Sequence, residues 1–322
     1  MSYYDAGLII IGAGPAGLTA AQYGARANLN VLVVEQLASG GQALLIDMLE
    51  NYPGNTGQYD AAGNKISDPK TGYEFAMDLH KQAEIFGARF FSGEAVSIKK
   101  EENAFIIGFS DGKTKKAAAV ILATGSKPRL LDIPGEKEYT GKGVSYCATC
   151  DGAFFKNKKI FVVGGGDAAC DEARYLSGLT DRVTLVHRRG SLRAQKALAE
   201  RTQNNPNIEV RFNTVIKEIK GESKVKSVVL EDVTSGKIYD EETDAVFIFA
   251  GTVPQTSIVS GSDLNVKLDE NGYIITDQKM AAGISGLFAA GDVRSGAFRQ
   301  VVTAAADGAI AARSAAEYLY EL

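Results

Sequence analysis

The chain has 322 residues, of which 45% are hydrophobic and 23% are charged, and its formal net charge is −4. This length predicts about two domains of ordinary globular composition. The slight acidic excess gives no support for nucleic-acid binding, and no apolar stretch approaches the ~20 residues that cross a membrane. Because the chain has three cysteines and no recognisable secretory signal, we expect a reducing, cytoplasmic compartment.

The first 35 residues have the pattern of a dinucleotide-binding unit. An apolar strand over 7–11 leads into Gly12-Ala13-Gly14-Pro15-Ala16-Gly17, an Ala-rich helix follows over 18–27, and a strand over 31–34 ends at Glu35. In such units the glycines let the backbone approach a pyrophosphate, and an acid about 20 residues further on binds the ribose hydroxyls. We therefore predict a bound nucleotide here rather than a tight turn without a ligand.

The chain then alternates between loops and regular elements. Residues 55–70 are polar and rich in Gly, Asn and Asp, which predicts an exposed loop. The next predicted elements are an amphipathic helix over 73–86, strands near 89–92, 95–99 and 104–109, a hairpin turn at Asp111-Gly112, and an apolar strand that ends at 120–122 and enters Ala123-Thr124-Gly125-Ser126-Lys127-Pro128.

Cys147 and Cys150 are separated by two residues, and Asp151 follows directly. Two cysteines at this spacing can close a small disulfide ring, and the adjacent acid can move protons. In a reducing compartment the pair indicates redox or metal chemistry rather than a structural staple. A zinc site needs two further ligands, and the chain offers few: His80, His187 and Cys170. The position of the pair between two nucleotide motifs therefore favours redox chemistry, and we interpret Cys170 as a small buried helix residue.

The dinucleotide pattern restarts after the cysteines. A strand over 159–163 enters Gly164-Gly165-Gly166-Asp167-Ala168-Ala169, a helix runs to about 178, and a strand follows over 183–186. The later predicted elements are a helix over 191–203, strands near 208–212, 214–220 and 225–231, an apolar strand from 246, and a C-terminal helix over 301–320.

The two copies also end with the same motif, since Gly125-x-x-Pro128 matches Gly251-x-x-Pro254. We therefore predict an α/β protein with two Rossmann-like (three-layer ββα) nucleotide-binding domains, the second inserted in the first. The first domain would comprise 1–127 and 254–322, and the second 128–253.

The two copies differ at the end of their second strand, where such units bind the adenosine ribose. The carboxylate of Glu35 suits free ribose hydroxyls and repels a 2′-phosphate, which favours FAD. The second copy has His187-Arg188-Arg189 at the corresponding place, with Arg193 one helical turn later. Guanidinium groups bind phosphate through paired hydrogen bonds. We therefore predict that these arginines bind the 2′-phosphate of NADPH, rather than forming a basic turn that contacts only solvent.

At this level of detail the sequence resembles the low-molecular-weight, bacterial-type thioredoxin reductases over essentially its whole length. The segments that carry the resemblance are 12–17, Gly40-Gly41-Gln42, Glu50-Asn51-Tyr52-Pro53-Gly54, Cys147-Ala148-Thr149-Cys150-Asp151-Gly152, 164–169, His187-Arg188-Arg189 with Arg193, Gly291-Asp292-Val293 and Arg299-Gln300-Val301.

The resemblance implies a role for each matching residue. Cys150 would lie beside the flavin, Cys147 would attack the disulfide of the partner, and Asp151 would be the acid and base. The implied FAD contacts are Gly12, Gly14, Pro15, Ala16, Gly17, Glu35, Gln36, Gly41, Gln42, Asn51, Val96, Ala123, Thr124, Gly125, Gly291, Asp292, Arg299, Gln300 and Val301. The implied NADPH contacts are Gly164, Gly165, Gly166, Asp167, Ala168, His187, Arg188, Arg189 and Arg193.

The resemblance also implies an activity and an assembly. We expect a homodimer that uses NADPH and FAD to reduce the disulfide of thioredoxin. One pair of thiols cannot touch a buried flavin and a bulky protein at once, so segments near 126–130 and 252–256 are candidate hinges. The alternative acceptor is another protein disulfide, in a peroxiredoxin or a glutaredoxin-like protein, and nothing in the sequence excludes it.

Overall fold

The computed structural model describes residues 4–46, 49, 51–55, 57–59 and 65–322. Its strands are β1 (Ala6–Ile11), β2 (Val31–Glu35), β3 (Gln58–Tyr59), β4 (Lys65–Ser67), β5 (Arg89–Ser92), β6 (Ala95–Glu101), β7 (Ala104–Phe109), β8 (Thr114–Leu122), β9 (Ser126–Pro128), β10 (Val144–Ser145), β11 (Ile160–Val163), β12 (Val183–Val186), β13 (Ile208–Arg211), β14 (Thr214–Gly221), β15 (Val225–Asp232), β16 (Ile238–Glu242), β17 (Ala245–Ile248), β18 (Thr252–Pro254), β19 (Ala281–Ile284) and β20 (Leu287–Ala289). Its α-helices are α1 (Pro15–Arg26), α2 (Gly72–Ile85), α3 (Ala148–Asp151), α4 (Asp167–Ser177), α5 (Lys196–Gln203), α6 (Ser257–Ser260) and α7 (Val301–Tyr320).

The chain divides into two compact units. The first unit comprises Met1–Lys127 and Val253–Leu322, and the second unit is Pro128–Thr252. The two connecting strands β9 and β18 form the first part of the predicted hinge segments 126–130 and 252–256, and they pair with each other as a two-stranded sheet.

The first unit is built on a sheet of order β19-β20-β8-β1-β2-β5, to which β7 and β6 are added beside β8. β20, β8, β1, β2 and β5 run parallel. Alternate residues of β1 point to opposite faces. Leu8 and Ile10 pack in one core with residues of α1, α2 and α7, and Ile9 and Ile11 pack in another with residues of β6 and β7.

The second unit repeats this plan in a smaller form. Its parallel sheet has the order β10-β17-β11-β12-β13, and β14, β15 and β16 form a separate antiparallel sheet. Val162 packs with α4 on one face, and Phe161 packs with β14 and β15 on the other. Each unit therefore has a layer of helices, a parallel sheet and an antiparallel layer, which confirms the predicted three-layer α/β class.

Local sequence explains where the main helices begin. Pro15 occupies the first turn of α1, where its missing N–H costs nothing, and Gly14 is the N-cap. Thr71 and Glu74 form a reciprocal capping box at the start of α2. Among the residues described, no helix combines the length and the apolar character needed to cross a membrane.

Two predictions about elements were wrong. The predicted loop over 55–70 contains β3 and β4, which pair antiparallel; residues 56 and 60–64 lie outside the described residues. The helix predicted from residue 191 begins at Lys196, because tertiary hydrogen bonds hold the preceding residues: Arg193 N–H donates to Gly165 O, and Gln195 N–H donates to Asp167.

Candidate active site

Cys147 and Cys150 form a disulfide, with their Cα atoms 5.3 Å apart. They lie in the second unit, where β10 leads into α3. Cys147 is the N-cap of α3, and Cys150 N–H donates a hydrogen bond to Cys147 Sγ over 3.2 Å. Both cysteines are partly exposed. An N–H donor placed in this way stabilises a thiolate more than a neutral thiol. The predicted redox pair is confirmed as a disulfide.

The residues next to the ring in the sequence make polar contacts. Asp151 accepts a hydrogen bond from Ser145 Oγ, at 2.5 Å, and Cys147 N–H donates to the same hydroxyl oxygen over 3.1 Å. Tyr146 donates its hydroxyl to the fully buried Glu136, which also accepts two backbone N–H groups. Burial, with the neighbouring Glu136 carboxylate, raises the pKa of Tyr146, so its hydroxyl stays protonated as the donor.

The zinc alternative lacks thiolate ligands in this structure, because Cys147 and Cys150 are bonded to each other. Cys170 is a buried free cysteine in α4, and burial raises the pKa of its thiol. Across the described ranges, no three side chains of His, Cys, Asp or Glu come together as metal ligands.

The first glycine turn (residues 12–17) joins β1 to α1 and is closely packed from behind. A Cβ on Gly12 would lie 2.3 Å from Ala123 O, and one on Gly17 would lie 1.9 Å from Gly12 O. A Cβ on Gly14, in contrast, would meet no described atom within 4 Å beyond its chain neighbours. The turn is thus open on one face only, at the N-terminal end of α1.

Predicted flavin contacts from distant parts of the sequence converge on this turn. Gly41 packs against it, since a Cβ there would lie 3.1 Å from Gly14 Cα, and a Cβ on Gly291 would lie 2.9 Å from Ala16 Cβ. Asn51 Nδ2 donates to Gln300 Oε1 over 3.0 Å, although the two residues are 249 positions apart.

The structure also shows where three further predicted flavin contacts lie. Gln42 donates to the carbonyl of Ser126, just after the Ala123-Thr124-Gly125 segment, and Val301 begins α7. Val96 is half-exposed on β6, where it borders a small cleft with Ser257 and Ile258. Glu50, which belongs to the Asn51 motif, lies outside the described residues.

The charge at the first turn is negative and fixed in place. Glu35 ends β2 and accepts hydrogen bonds from the N–H groups of Ala13, at 2.8 Å, and of Gln36 and Leu37. This anchored carboxylate can accept from ribose hydroxyls and opposes a phosphate in the same place.

Asp292 is a second carboxyl group of this region. Burial raises its pKa to about 6, and the positive charge of Arg299 partly offsets that effect. The preceding residue Gly291 donates its N–H to Asp307, which forms a paired ion contact with Arg294. Sequence reasoning missed this partly buried ion pair, which holds the turn that carries Asp292.

The second glycine turn (residues 164–169) has the same geometry in the second unit. A Cβ on Gly164 would lie 2.8 Å from Phe249 O, whereas one on Gly166 would meet no described atom within 4 Å beyond its neighbours. Gly166 is the N-cap of α4. Asp167 accepts hydrogen bonds from Gln195 over 2.7 and 3.3 Å, and Ala168 is exposed in the first turn of α4.

The charge at this second turn is positive. Arg188, Arg189 and Arg193 are exposed, and all three lower the pKa of His187, after the larger effect of burial. His187 itself is only 5% exposed, and its ring lies directly beneath Gly165, where a Cβ would come within 2.2 Å of Nδ1. The arginines therefore form the solvent-facing charge, and the histidine fills the space behind the turn.

Both turns fit a bound nucleotide. Each open face lies where the first N–H groups of a helix lack helical partners, and helices of this kind bind phosphate at that end. The carboxylate of Glu35 at the first turn is an acceptor that suits an unphosphorylated ribose, and the guanidinium groups at the second turn suit a 2′-phosphate.

Several known proteins are similar to this chain in sequence and in fold. The family model of pyridine nucleotide-disulphide oxidoreductases matches residues 6–308. A thioredoxin reductase of Treponema pallidum is 52% identical over 315 residues, which cover 98% of this chain and 97% of that protein.

Solved structures give the same result. A thioredoxin reductase of Streptococcus pyogenes superposes with a TM-score of 0.87 at 43% identity and covers 99% of both chains. One of Giardia duodenalis gives 0.86 at 36% identity, covering 98% of this chain and 99% of that one. The chain therefore belongs to the pyridine nucleotide-disulphide oxidoreductases and, within that family, to the thioredoxin reductases.

Proposed function

We propose that this chain uses NADPH to reduce the disulfide of thioredoxin, through FAD held in the first unit and the Cys147–Cys150 dithiol of the second. Family membership implies a flavin and a nicotinamide nucleotide. The observation that carries the proposal is the Cys147–Cys150 disulfide, with Cys150 N–H directed at Cys147 Sγ. A ring held in this way is suited to opening with its negative charge on Cys147.

The choice of FAD and NADPH is supported by the charges at the two turns. The anchored carboxylate of Glu35, together with Asp292 and the Asn51–Gln300 pair, would hold FAD at the first turn. Arg188, Arg189 and Arg193 would hold the 2′-phosphate of NADPH at the second. The inserted domain would then be 128–253, with 1–127 and 254–322 as the flavin domain.

When bound, the flavin would accept two electrons from NADPH and supply them to the disulfide. The Cys147–Cys150 bond would break with uptake of these two electrons and one proton, which leaves Cys147 as the thiolate and Cys150 as the thiol. The Cys147 thiolate bonds to one sulfur of the thioredoxin disulfide, while the Asp151 carboxylate takes the proton of Cys150 and passes it to the departing sulfur. The Cys150 thiolate then attacks Cys147 Sγ, which restores the ring and releases the second thioredoxin sulfur as a thiolate that takes a proton from solvent.

The proposal is tested by two serine variants. With Cys150→Ser, NADPH still bleaches the flavin absorbance, because its reduction does not need the ring, but thioredoxin turnover is abolished. With Cys147→Ser, turnover is also abolished. Retained turnover in Cys150→Ser would refute the assignment. The same assay with a peroxiredoxin and a glutaredoxin-like protein as acceptors tests the alternative partners, and we expect thioredoxin to have the highest kcat/KM.

The resemblance also supports a homodimer, which sedimentation of the flavin-containing protein tests. We place the protein in the cytoplasm, because a dithiol that cycles and one buried free cysteine suit a reducing compartment. Fractionation of the source cells tests that placement.

A further inference from the structure

Ser145 is the last residue of β10, the strand that leads into the disulfide ring. Its backbone pairs with Phe247 in the parallel sheet, and the residue is only 5% exposed. The position of Ser145 is therefore set by the sheet.

The hydroxyl of Ser145 has three polar neighbours. Cys147 N lies 3.1 Å away, Cys147 O lies 3.2 Å away, and Asp151 Oδ2 lies 2.5 Å away. A hydroxyl has one proton to donate, and it accepts from N–H groups. It therefore accepts from Cys147 N–H and donates to the Asp151 carboxylate, since a charged acceptor makes the shorter and stronger bond.

The element that carries Asp151 is short. α3 spans only Ala148–Asp151, and a 3₁₀ helix over Gly152–Phe155 follows directly; this backbone fixes where Asp151 lies, but it does not fix the direction of the carboxylate. Proton transfer needs the acid within about 2.6–3.2 Å of the atom it serves, and an error of about 1 Å can cost on the order of 100-fold in rate. The hydrogen bond from the sheet-anchored hydroxyl of Ser145 directs the Asp151 carboxylate.

We infer that Ser145 is a positioning residue for thiol–disulfide exchange: it holds the Asp151 carboxylate beside the cysteine ring while the ring opens and closes. This inference rests on the proposed function, in which Asp151 gives a proton to the departing thioredoxin sulfur. Ser145 itself exchanges no proton with the substrate. Its hydrogen bond fixes the position of the Asp151 carboxyl group, which is the proton donor.

A double-mutant cycle tests the inference. We expect Ser145→Ala to lower kcat for thioredoxin about tenfold or more, the effect of losing a charge-assisted hydrogen bond, with KM changed less than about twofold. In the Asp151→Asn background the same Ser145→Ala change should have no further effect, because the carboxylate it orients is already absent. An equal loss in both backgrounds, or no loss in the parent, overturns the inference.

A matched control separates positioning from folding. Ser177 is also buried in the second unit and also makes two hydrogen bonds, with Arg174 O and Asn205. Ser177→Ala should therefore cost similar stability in urea unfolding and leave turnover unchanged. A fall in kcat for Ser177→Ala equal to that for Ser145→Ala would show a general loss of folding and overturn the inference.

A single-turnover assay isolates the exchange step. The flavin-containing protein is reduced with dithiothreitol, desalted and mixed with oxidised thioredoxin, so that NADPH does not take part. Ser145→Ala should slow this exchange by the same factor as kcat, while NADPH-driven ferricyanide reduction, which bypasses the ring, stays unchanged. If ferricyanide reduction falls and the exchange rate does not, the inference is wrong.

The two proposals fail in different ways. If Cys150→Ser retains thioredoxin turnover, the proposed function fails, whatever Ser145 does. If Cys150→Ser is inactive and the cycle is additive, only the role of Ser145 fails.

Discussion

The two glycine turns share one backbone design and differ in the charges around it. In both, the glycine that ends the strand is packed from behind, and the glycine that caps the helix is open to a ligand. At the first turn an anchored carboxylate, Glu35, stands beside the open face; at the second, three arginines surround the buried His187. Under the proposed function, the glycines would provide the phosphate site, whereas the end of the next strand would select the nucleotide.

The largest expected effect comes from placing a valine at the open glycine of each turn, where its side chain would occupy the space for the nucleotide. Gly14 and Gly166 have φ of −74° and −95°, which valine tolerates, and the space beside each is empty. We expect Gly14→Val to yield a chain without flavin. Gly166→Val should keep its flavin and lose bleaching by NADPH. Absorbance of the purified proteins and stopped-flow bleaching measure the two effects. Loss of the same cofactor in both variants would break the comparison.

The next effect concerns the arginines of the second turn. Removing Arg188 and Arg189 together deletes charge-assisted hydrogen bonds worth about 1.5–3 kcal/mol each. We expect Arg188→Ala/Arg189→Ala to raise KM for NADPH about 100-fold and KM for NADH less than about threefold. Arg182→Ala is the control, because that exposed arginine precedes the opposite end of β12. Equal changes for the two nucleotides would show that the arginines do not read the 2′-phosphate.

A smaller effect belongs to Asp292 at the first turn. Because its pKa in the folded chain is about 6 and that of an unfolded aspartate is about 4, the folded state keeps a proton that the unfolded state has lost between these values. The free energy of unfolding therefore falls as pH rises from about 4 to 6. In flavin-free protein at pH 7.5, Asp292→Asn should be more stable than the parent by about 2–3 kcal/mol.

Urea unfolding at pH 4 and pH 7.5 measures this difference. Asp263→Asn, at an exposed position of the same unit, is the control and should show no such gain. If Asp292→Asn changes stability equally at both pH values, burial of the carboxyl group is not the cause.

The smallest effect is predicted for Cys170. Burial keeps its thiol protonated, so it cannot act as a nucleophile. We expect Cys170→Ala to leave thioredoxin turnover within about twofold and to lower the free energy of unfolding by about 1 kcal/mol. A loss of turnover comparable with that of Cys147→Ser would identify Cys170 as a third redox thiol. The second unit would then differ from the first in a way that the glycine turns do not reveal.

Sequence reasoning found the elements whose residues repeat with a clear period. The strands at β5, β7 and β12 and the helix α7 were predicted with the bounds that the structure has. It missed the short strands β19 and β20, because three or four residues carry too little pattern to distinguish from a loop. It also placed the start of α5 too early, since the bonds from Arg193 and Gln195 to the second turn are tertiary and have no local signal.

In the candidate site, too, the sequence predicted some residues and missed others. Motifs identified the cysteines, both glycine turns and the arginines, because these residues act through local spacing. Ser145 and Glu136 carry no motif of their own, and their importance depends on where β10 and the loop before it meet the ring. The burial of His187 beneath Gly165 is likewise a tertiary result, which a run of basic residues does not reveal.

The central claim is that electrons enter from NADPH, pass one flavin and leave through the Cys147–Cys150 ring. An anaerobic NADPH titration of the purified protein, followed by flavin absorbance and by thiol labelling, tests it most directly. Since flavin and disulfide each take two electrons, we predict about two equivalents of NADPH per chain to reach full bleaching, with two new thiols on the ring. Full bleaching after about one equivalent, with the disulfide intact, would contradict the account.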